Sequence, residues 1–316
     1  MMPLIAELNR TRRIGAEYEM SVPLIGTGTG RDVQHTLASI LSSNQIHSTS
    51  RGYSHRKVEP YDCAIEYDAS VRGESEYAGI SWFSVEFKSR ILNGIADWER
   101  LVPKGLDICR YMGARVNKTT GHHLHLSLPE YEQNPKVIRS LANLFHRFEP
   151  VIYGLVAPSR LGNSYSRPMN IDHLRSLRRC RSDRSYANVV DRWDRQAGLT
   201  FAHINGNTGP RVEFRYHGGT LDPEKAKHWL RFCLQMVEHA CTRNCQAAKE
   251  QTPNTRRGLE NLLLCGFNQN SNIYKTIYPE LRQTGKYLIR RWKHFNGRIP
   301  LQRNDRRQSK VDTDNL

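Results

Sequence analysis

Apolar and polar residues alternate from Ile14 to Ser21: Ile14, Ala16, Tyr18 and Met20 interleave with Gly15, Glu17, Glu19 and Ser21. A period of two puts each set on its own face of a β-strand. The turn-rich run Gly26-Thr27-Gly28-Thr29-Gly30 follows, and Val33, Leu37, Ile40 and Leu41 then recur at helical spacing. Two strand-like runs between about 58 and 90 enclose a stretch rich in Gly, Ser and Glu. The second, 81–88, sets Phe83, Val85 and Phe87 against Ser84, Glu86 and Lys88.

Residues 97–112 read as a helix weakened by Pro103. Residues 122–128 read as a strand, with Leu124, Leu126 and Leu128 opposite His123, His125 and Ser127. Asn134 before Pro135 is a helix start, and Val137, Leu141, Leu144, Phe145 and Phe148 continue it until Pro150 bends or ends it. Periodicity is weak over 160–195, which predicts short helices and loops. Runs 199–204 and 211–216 flank Asn205-Gly206-Asn207 as a hairpin. Asp222-Pro223 opens a helix towards Lys249, a further helix is expected near 275–295, and the last ~15 residues read as disordered. This order of elements predicts an α+β fold, with helices packed on one side of a largely antiparallel sheet.

The strands share a design. Glu17 and Glu19 lie opposite an apolar face, as do Glu86, then His123 and His125, then Glu213, Arg215 and His217. If the apolar faces all pack under helices, the other face gathers four carboxylates, two or three imidazoles and an arginine. Such a concentration of negative charge calls for neutralisation, and divalent cations supply it economically. Carboxylates with one imidazole per ion suit magnesium or manganese better than zinc. A cation held this way beside an arginine is a bed for a triphosphate. The glycine run at 26–30 lies where backbone amides cradle phosphate, but it lacks the Lys-Ser/Thr of a P-loop and is read as a flexible loop.

Composition narrows the setting. The 316 residues fit one large domain or one with an appendage. No apolar run reaches the ~18 residues of a membrane-spanning helix, and the N-terminus lacks a signal-peptide pattern. Seven scattered cysteines without a C-x-x-C pair argue against a disulfide framework or zinc ribbon and suit the cytoplasm. The formal charge is +16, and half of it lies in 251–316, where 13 Lys and Arg face 5 acids. Segment 160–195 adds nine arginines, no lysine and four aspartates. Such charge attracts polyanions. No nucleic-acid-reading motif accompanies it, so nucleic acid stands only as an alternative partner.

Six short motifs in order resemble the amidoligase family, relatives of glutamine synthetase and glutamate–cysteine ligase. They are Gly15-Ala16-Glu17-Tyr18-Glu19, Asp68-Ala69-Ser70-Val71, Val85-Glu86-Phe87-Lys88-Ser89, His122-His123-Leu124-His125, Ile204-Asn205, and Val212-Glu213-Phe214-Arg215 followed by Gly219-Thr220-Leu221-Asp222. Ala69 stands where glycine is usual, and Arg90 where proline is common. The resemblance implies a glutamine synthetase/guanidino kinase-like fold: a curved, mostly antiparallel sheet with helices on its convex face and the active site on its concave face. It implies ATP with two or three magnesium ions, and amide or isopeptide formation through an acyl phosphate. On this basis Glu17, Glu213 and His123 hold one ion, Glu19 and Glu86 another, and Arg215 steadies the γ-phosphate. Asn205, His125 and Arg192 or Arg195 are further candidates for substrate or phosphate, while His122 and His217 are supporting or surface residues.

Residues 1–250 are then the catalytic domain and 251–316 a basic extension. Extension and arginine-rich segment together are expected to dock an acidic protein or peptide bearing the substrate carboxylate, a small-molecule carboxylate and an amine being the simpler pair. Nothing in the pattern marks an oligomer interface. A phosphotransferase on the same fold, a zinc hydrolase using the histidines and a non-catalytic nucleic-acid binder are the competing classes.

Overall fold

The computed structural model describes residues 12–24, 29–51, 62–73, 80–267 and 279–297. Residues 26–28, the strand-like positions near 58 and the tail beyond 297 lie outside the described residues. The chain is a mixed α/β protein with a mostly antiparallel open sheet ordered β2-β3-β4-β1-β6-β8-β7, β5 lying beside β1. Chain contacts divide it into two compact units.

One unit comprises 13–124 and 217–227. Its first strand, β1 (Arg13–Pro23), buries Ile14, Ala16, Tyr18 and Met20, as the alternation requires. Thr29 caps α1 (Gly30–Ser43) in a reciprocal box with Asp32, and Leu37 and Leu41 face inward. Two short strands escape the sequence reading. β2 (Ser48–Arg51) runs parallel to β3 (Cys63–Tyr67), and β5 (Leu92–Asn93) pairs with the start of β1. Two to four residues are too few to show a period. β3 and β1 flank β4 (Trp82–Lys88), both antiparallel to it. Pro103 lies inside α2 (Gly94–Tyr111), which continues past it and buries Trp98, Val102 and Leu106.

At the start of α2, Arg90 forks onto Asp97 at 2.6 and 2.8 Å, and Arg100 adds a bond at 2.9 Å. Burial pushes the Asp97 carboxyl up, but these guanidiniums and the Asn93 N–H outweigh it and hold the group at about 2, below its ordinary 3.8. A depressed carboxylate stabilises the fold above the unfolded value and ceases to as pH falls through the folded one. Asp97→Asn is therefore expected to cost on the order of 1–2 kcal/mol at neutral pH, after allowance for solvent screening. Urea unfolding at pH 7 and near pH 2 checks it: the gap between variant and parent closes in acid.

The other unit comprises, among the described residues, Arg12, 125–216 and 228–297. Short α3 (Glu130–Gln133) precedes α4 (Lys136–Tyr153), where Asn134 accepts from the Lys136 amide as the sequence predicts. Pro150 does not end this helix. The carbonyls a proline leaves without partners are taken by the C-terminal region: Gln251 Nε2 donates to His146 O, and the Thr252 amide to Arg147 O. A 3₁₀ turn (Pro158–Arg160), α5 (Ile171–Arg179) and α6 (Asp183–Val190) bear out the expected short helices.

The predicted strand 199–204 is cut to β7 (Leu199–Thr200), antiparallel to β8 (Arg211–Gly218). Its remainder turns over, the Ile204 amide bonding Phe201 O, so that both Phe201 and Ile204 are buried. α7 (Pro223–Thr242) begins where Asp222 accepts from two amides and ends short of Lys249. It stops because Ser140 captures the Cys245 amide and Asn143 its carbonyl. Among the described residues after 250, α8 (Arg256–Leu263) and α9 (Pro279–Asn296) bury Leu259, Leu262 and Leu288. Asn296 bonds Gly154 O, and Trp292 bonds Asn254. No helix among the described residues is long and apolar enough to cross a membrane.

Candidate functional site

The register across β1, β4 and β3 builds a charged row. Glu19 pairs with Glu86, and Glu86 with Glu66, so three carboxylates stand side by side on three strands. One step along, Glu17 faces Lys88, and Lys88 faces Ala64. The intervening row on the other face is Tyr18, Phe87 and Ile65, all fully buried. Like charges placed directly opposite destabilise a sheet, and these are sheltered, Glu19 and Glu86 being 6% exposed.

Part of the neutralising charge comes from the protein itself. Lys88 Nζ lies 2.9 Å from Glu86, 3.1 Å from Glu66 and 3.9 Å from Glu17. Burial lowers the Lys88 ammonium's affinity for its proton, but the three carboxylates overcome this and raise it above the ordinary value. Glu86 shifts upward for the opposite reason: burial first, then the Glu17 charge, exceed the help from Lys88.

β6 (Gly121–Ser127) brings His123 to the same carboxylates, Nδ1 3.5 Å from Glu17 and Nε2 3.4 Å from Glu19. The Gly121 amide donates to Glu19 at 2.5 Å. A side chain at Gly121 would put its Cβ 2.6 Å from His123 Nε2 and 3.2 Å from Glu19 Oε2, so glycine makes room for both. Two sets of ligand-type atoms result, each within 4.8 Å: Glu17, Glu86 and His123, and Glu19, Asp68 and Glu86. Asp68 also accepts from the Ser70 amide, which fixes the turn after β3. Oxygen donors with a single imidazole match a hard divalent cation.

In the other unit, Glu213, Arg215, His125 and His203 gather on β8 and its neighbours. Glu213 is buried, pairs with Arg215, has its Oε2 3.0 Å from His203 Nε2, and lies 4.0 Å from His125 Nε2. Arg215 Nε donates to Tyr165 O, while buried Arg160 holds the Arg215 carbonyl at 2.7 Å. His125, His203 and Glu213 form a third set with ligand atoms within 4.8 Å. Glu213 thus has imidazoles and a guanidinium as its near neighbours.

Asn205 is exposed and gives its amide to Asp191 at 2.7 Å, and Arg192 and Arg195 are exposed nearby. His122 is a core residue, not a surface one: it stacks on Tyr18 at 4.4 Å, and burial, with His217 and His123 close, holds it well below its ordinary value. His217 is buried as well.

Sequence reasoning missed Glu66, Asp68, Lys88 and His203 as members of these groups. Lys88 was legible, since it shares a face with Glu86. Glu66 lay in a strand whose partners no local pattern gives. His203 was hidden by reading 199–204 as a strand, where a turn presents it.

A family model described as "putative amidoligase enzyme" matches residues 10–237, and the chain belongs to that family. Among solved structures it is similar to a bifunctional glutathione synthetase from Pasteurella multocida, at 14% identity and a TM-score of 0.45, over 98% of this chain and 50% of that one. The chain therefore spans about half the length of that enzyme. No curated protein matches it.

Proposed function

We propose that the protein is an ATP-dependent carboxylate–amine ligase that works through an acyl phosphate. The observation that carries this reading is the buried carboxylate row Glu19–Glu86–Glu66, with Glu17, Asp68 and His123 set around it as two groups of ligand-type atoms. Family membership supplies the reaction class. Glu17, Glu86 and His123 would hold one divalent ion and Glu19, Asp68 and Glu86 a second, magnesium or manganese by donor type. Bound there, such ions draw charge from phosphate oxygens and align the triphosphate.

Glu213, expected to share an ion with Glu17 and His123, is assigned instead as a metal ligand beside His125 and His203. Arg215, paired with Glu213 in the same unit, is assigned to phosphate contact, where a guanidinium fork would offset charge on the oxygens. A substrate carboxylate oxygen attacks the γ-phosphorus, the bond to ADP breaks, and the acyl phosphate forms. An amine nitrogen then attacks the acyl carbon, phosphate leaves and an amide remains. Asn205 and Arg195, both exposed, are assigned to substrate contact.

Titration with a non-hydrolysable ATP analogue, with and without magnesium, tests the site: binding should require the metal. ADP release that needs both a carboxylate and an amine identifies the ligase. Release with the amine alone, leaving a phosphorylated amine, would replace this reading with the phosphotransferase.

A further inference from the structure

Away from the carboxylates, α4, α5 and the segment after α7 enclose a cleft of about 480 Å³ carrying Lys136, Arg139, Arg178 and Arg181 together with Asn143 and Asn244. No carboxylate lines it. Arg175, earlier on α5, is paired with Asp172 at 3.1 Å, whereas among the described residues these four cations have no ion-pair partner. Four positive groups around one small space repel one another unless an anion joins them.

Arg178 is held in place for such a partner. Its Nε donates to Asn143 Oδ1 at 2.9 Å, and Asn143, itself buried, is fixed by donating to Cys245 O at 3.1 Å. Ser140 accepts from the Cys245 amide, so the same segment is anchored twice. Arg178 Nη2 is buried and has no hydrogen-bond partner among the described residues. A solvated basic surface would not strip a guanidinium donor of water and leave it unused, because the desolvation goes uncompensated. Burial, with Arg175 close, also lowers the Arg178 guanidinium from its ordinary value, and an anion would reverse that.

We infer that this cleft is a second anion site, distinct from the carboxylate site and independent of metal, which takes the phosphate group of a small phosphorylated molecule. A planar guanidinium fixed through Nε presents its remaining donors as a fork, the geometry that matches phosphate. Lys136, Arg139 and Arg181 complete the charge, and Asn244 adds an amide. The volume is that of a small-ligand pocket.

The test is calorimetric titration of the full chain at low salt with EDTA, using inorganic phosphate, pyrophosphate and glycerol 3-phosphate. One saturable site is expected for at least one probe. Arg178→Lys keeps the charge but loses the fork, and should weaken binding about tenfold or more. Lys136→Ala with Arg139→Ala, neither of which bonds Asn143, should do the same and carries the test if Arg178 variants misfold. Glu86→Gln and Arg215→Ala should leave the affinity within about twofold of the parent. Tighter binding of the larger probes identifies an esterified or condensed phosphate as the occupant, and equal affinity identifies free phosphate. The inference is overturned if no probe saturates, if both cleft variants bind like the parent, or if Arg215→Ala abolishes binding.

Discussion

Glu86→Gln is expected to abolish turnover while leaving the metal-free protein as stable as the parent or more so. Glu86 stands between Glu19 and Glu66 and belongs to both carboxylate sets of its unit. Glutamine keeps the shape and an acceptor for Lys88 but removes one charge from a buried anionic row. Relief of that repulsion is worth about 0.5–2 kcal/mol, the usual gain when a strained functional position is relaxed. Activity moves the other way, because both ions proposed in this unit lose a ligand at once, and a fall of roughly a thousandfold follows if that charge aligns the phosphates. Thermal unfolding in EDTA and in magnesium separates the two effects. The parent should gain about 2.7 kcal/mol when magnesium reaches a hundred times its dissociation constant, and the variant close to none. A variant that is less stable than the parent in EDTA, yet stabilised equally by magnesium, would show that Glu86 is an ordinary structural carboxylate.

The sequence reveals the strands of this site better than it reveals their neighbours. Alternation from Ile14 to Ser21 and from Phe83 to Lys88 suffices to place Glu17, Glu19 and Glu86 opposite a buried apolar face, because a period of two is a local property. Which strands lie side by side is not local. That Glu66 completes the row depends on β3 and β1 pairing with opposite edges of β4, a choice made by tertiary contacts. The same limit explains α4. Pro150 is a stop signal in isolation, and only Gln251 and Thr252, a hundred residues on, satisfy the carbonyls it frees. The extension at 251–297, read as an appendage from its charge, also places Leu259, Leu262 and Leu288 in the core of its unit.

Lys88→Met should be the most destabilising substitution in the carboxylate site when no metal is present. Removing one partner of a buried ion pair costs about 3–5 kcal/mol, because the other charge is left uncompensated. Here three carboxylates lose the same cation, and Lys88 is 22% exposed, so a value near 3 kcal/mol is expected. Methionine preserves the apolar stem that packs along the strand, which confines the change to the charge. Millimolar magnesium should recover much of the loss if divalent ions occupy the same row. The double variant with Glu86→Gln should be milder than the sum of the two, since the residues share one network. Denaturant unfolding with and without magnesium measures all of these. A Lys88→Met protein as stable as the parent in EDTA would mean that solvent already screens the row.

The position of Lys88 also bears on how the sheet assembles. β1 and β4 lie some sixty residues apart in the chain, and the register that joins them sets Glu19 against Glu86. Long-range strand pairing is the slow part of folding, since loop closure precedes its reward, and here it brings like charges together as well. Lys88 sits two residues from Glu86 on the same strand, so the compensating cation arrives in the same pairing event. The strand carries its own counterion into the encounter.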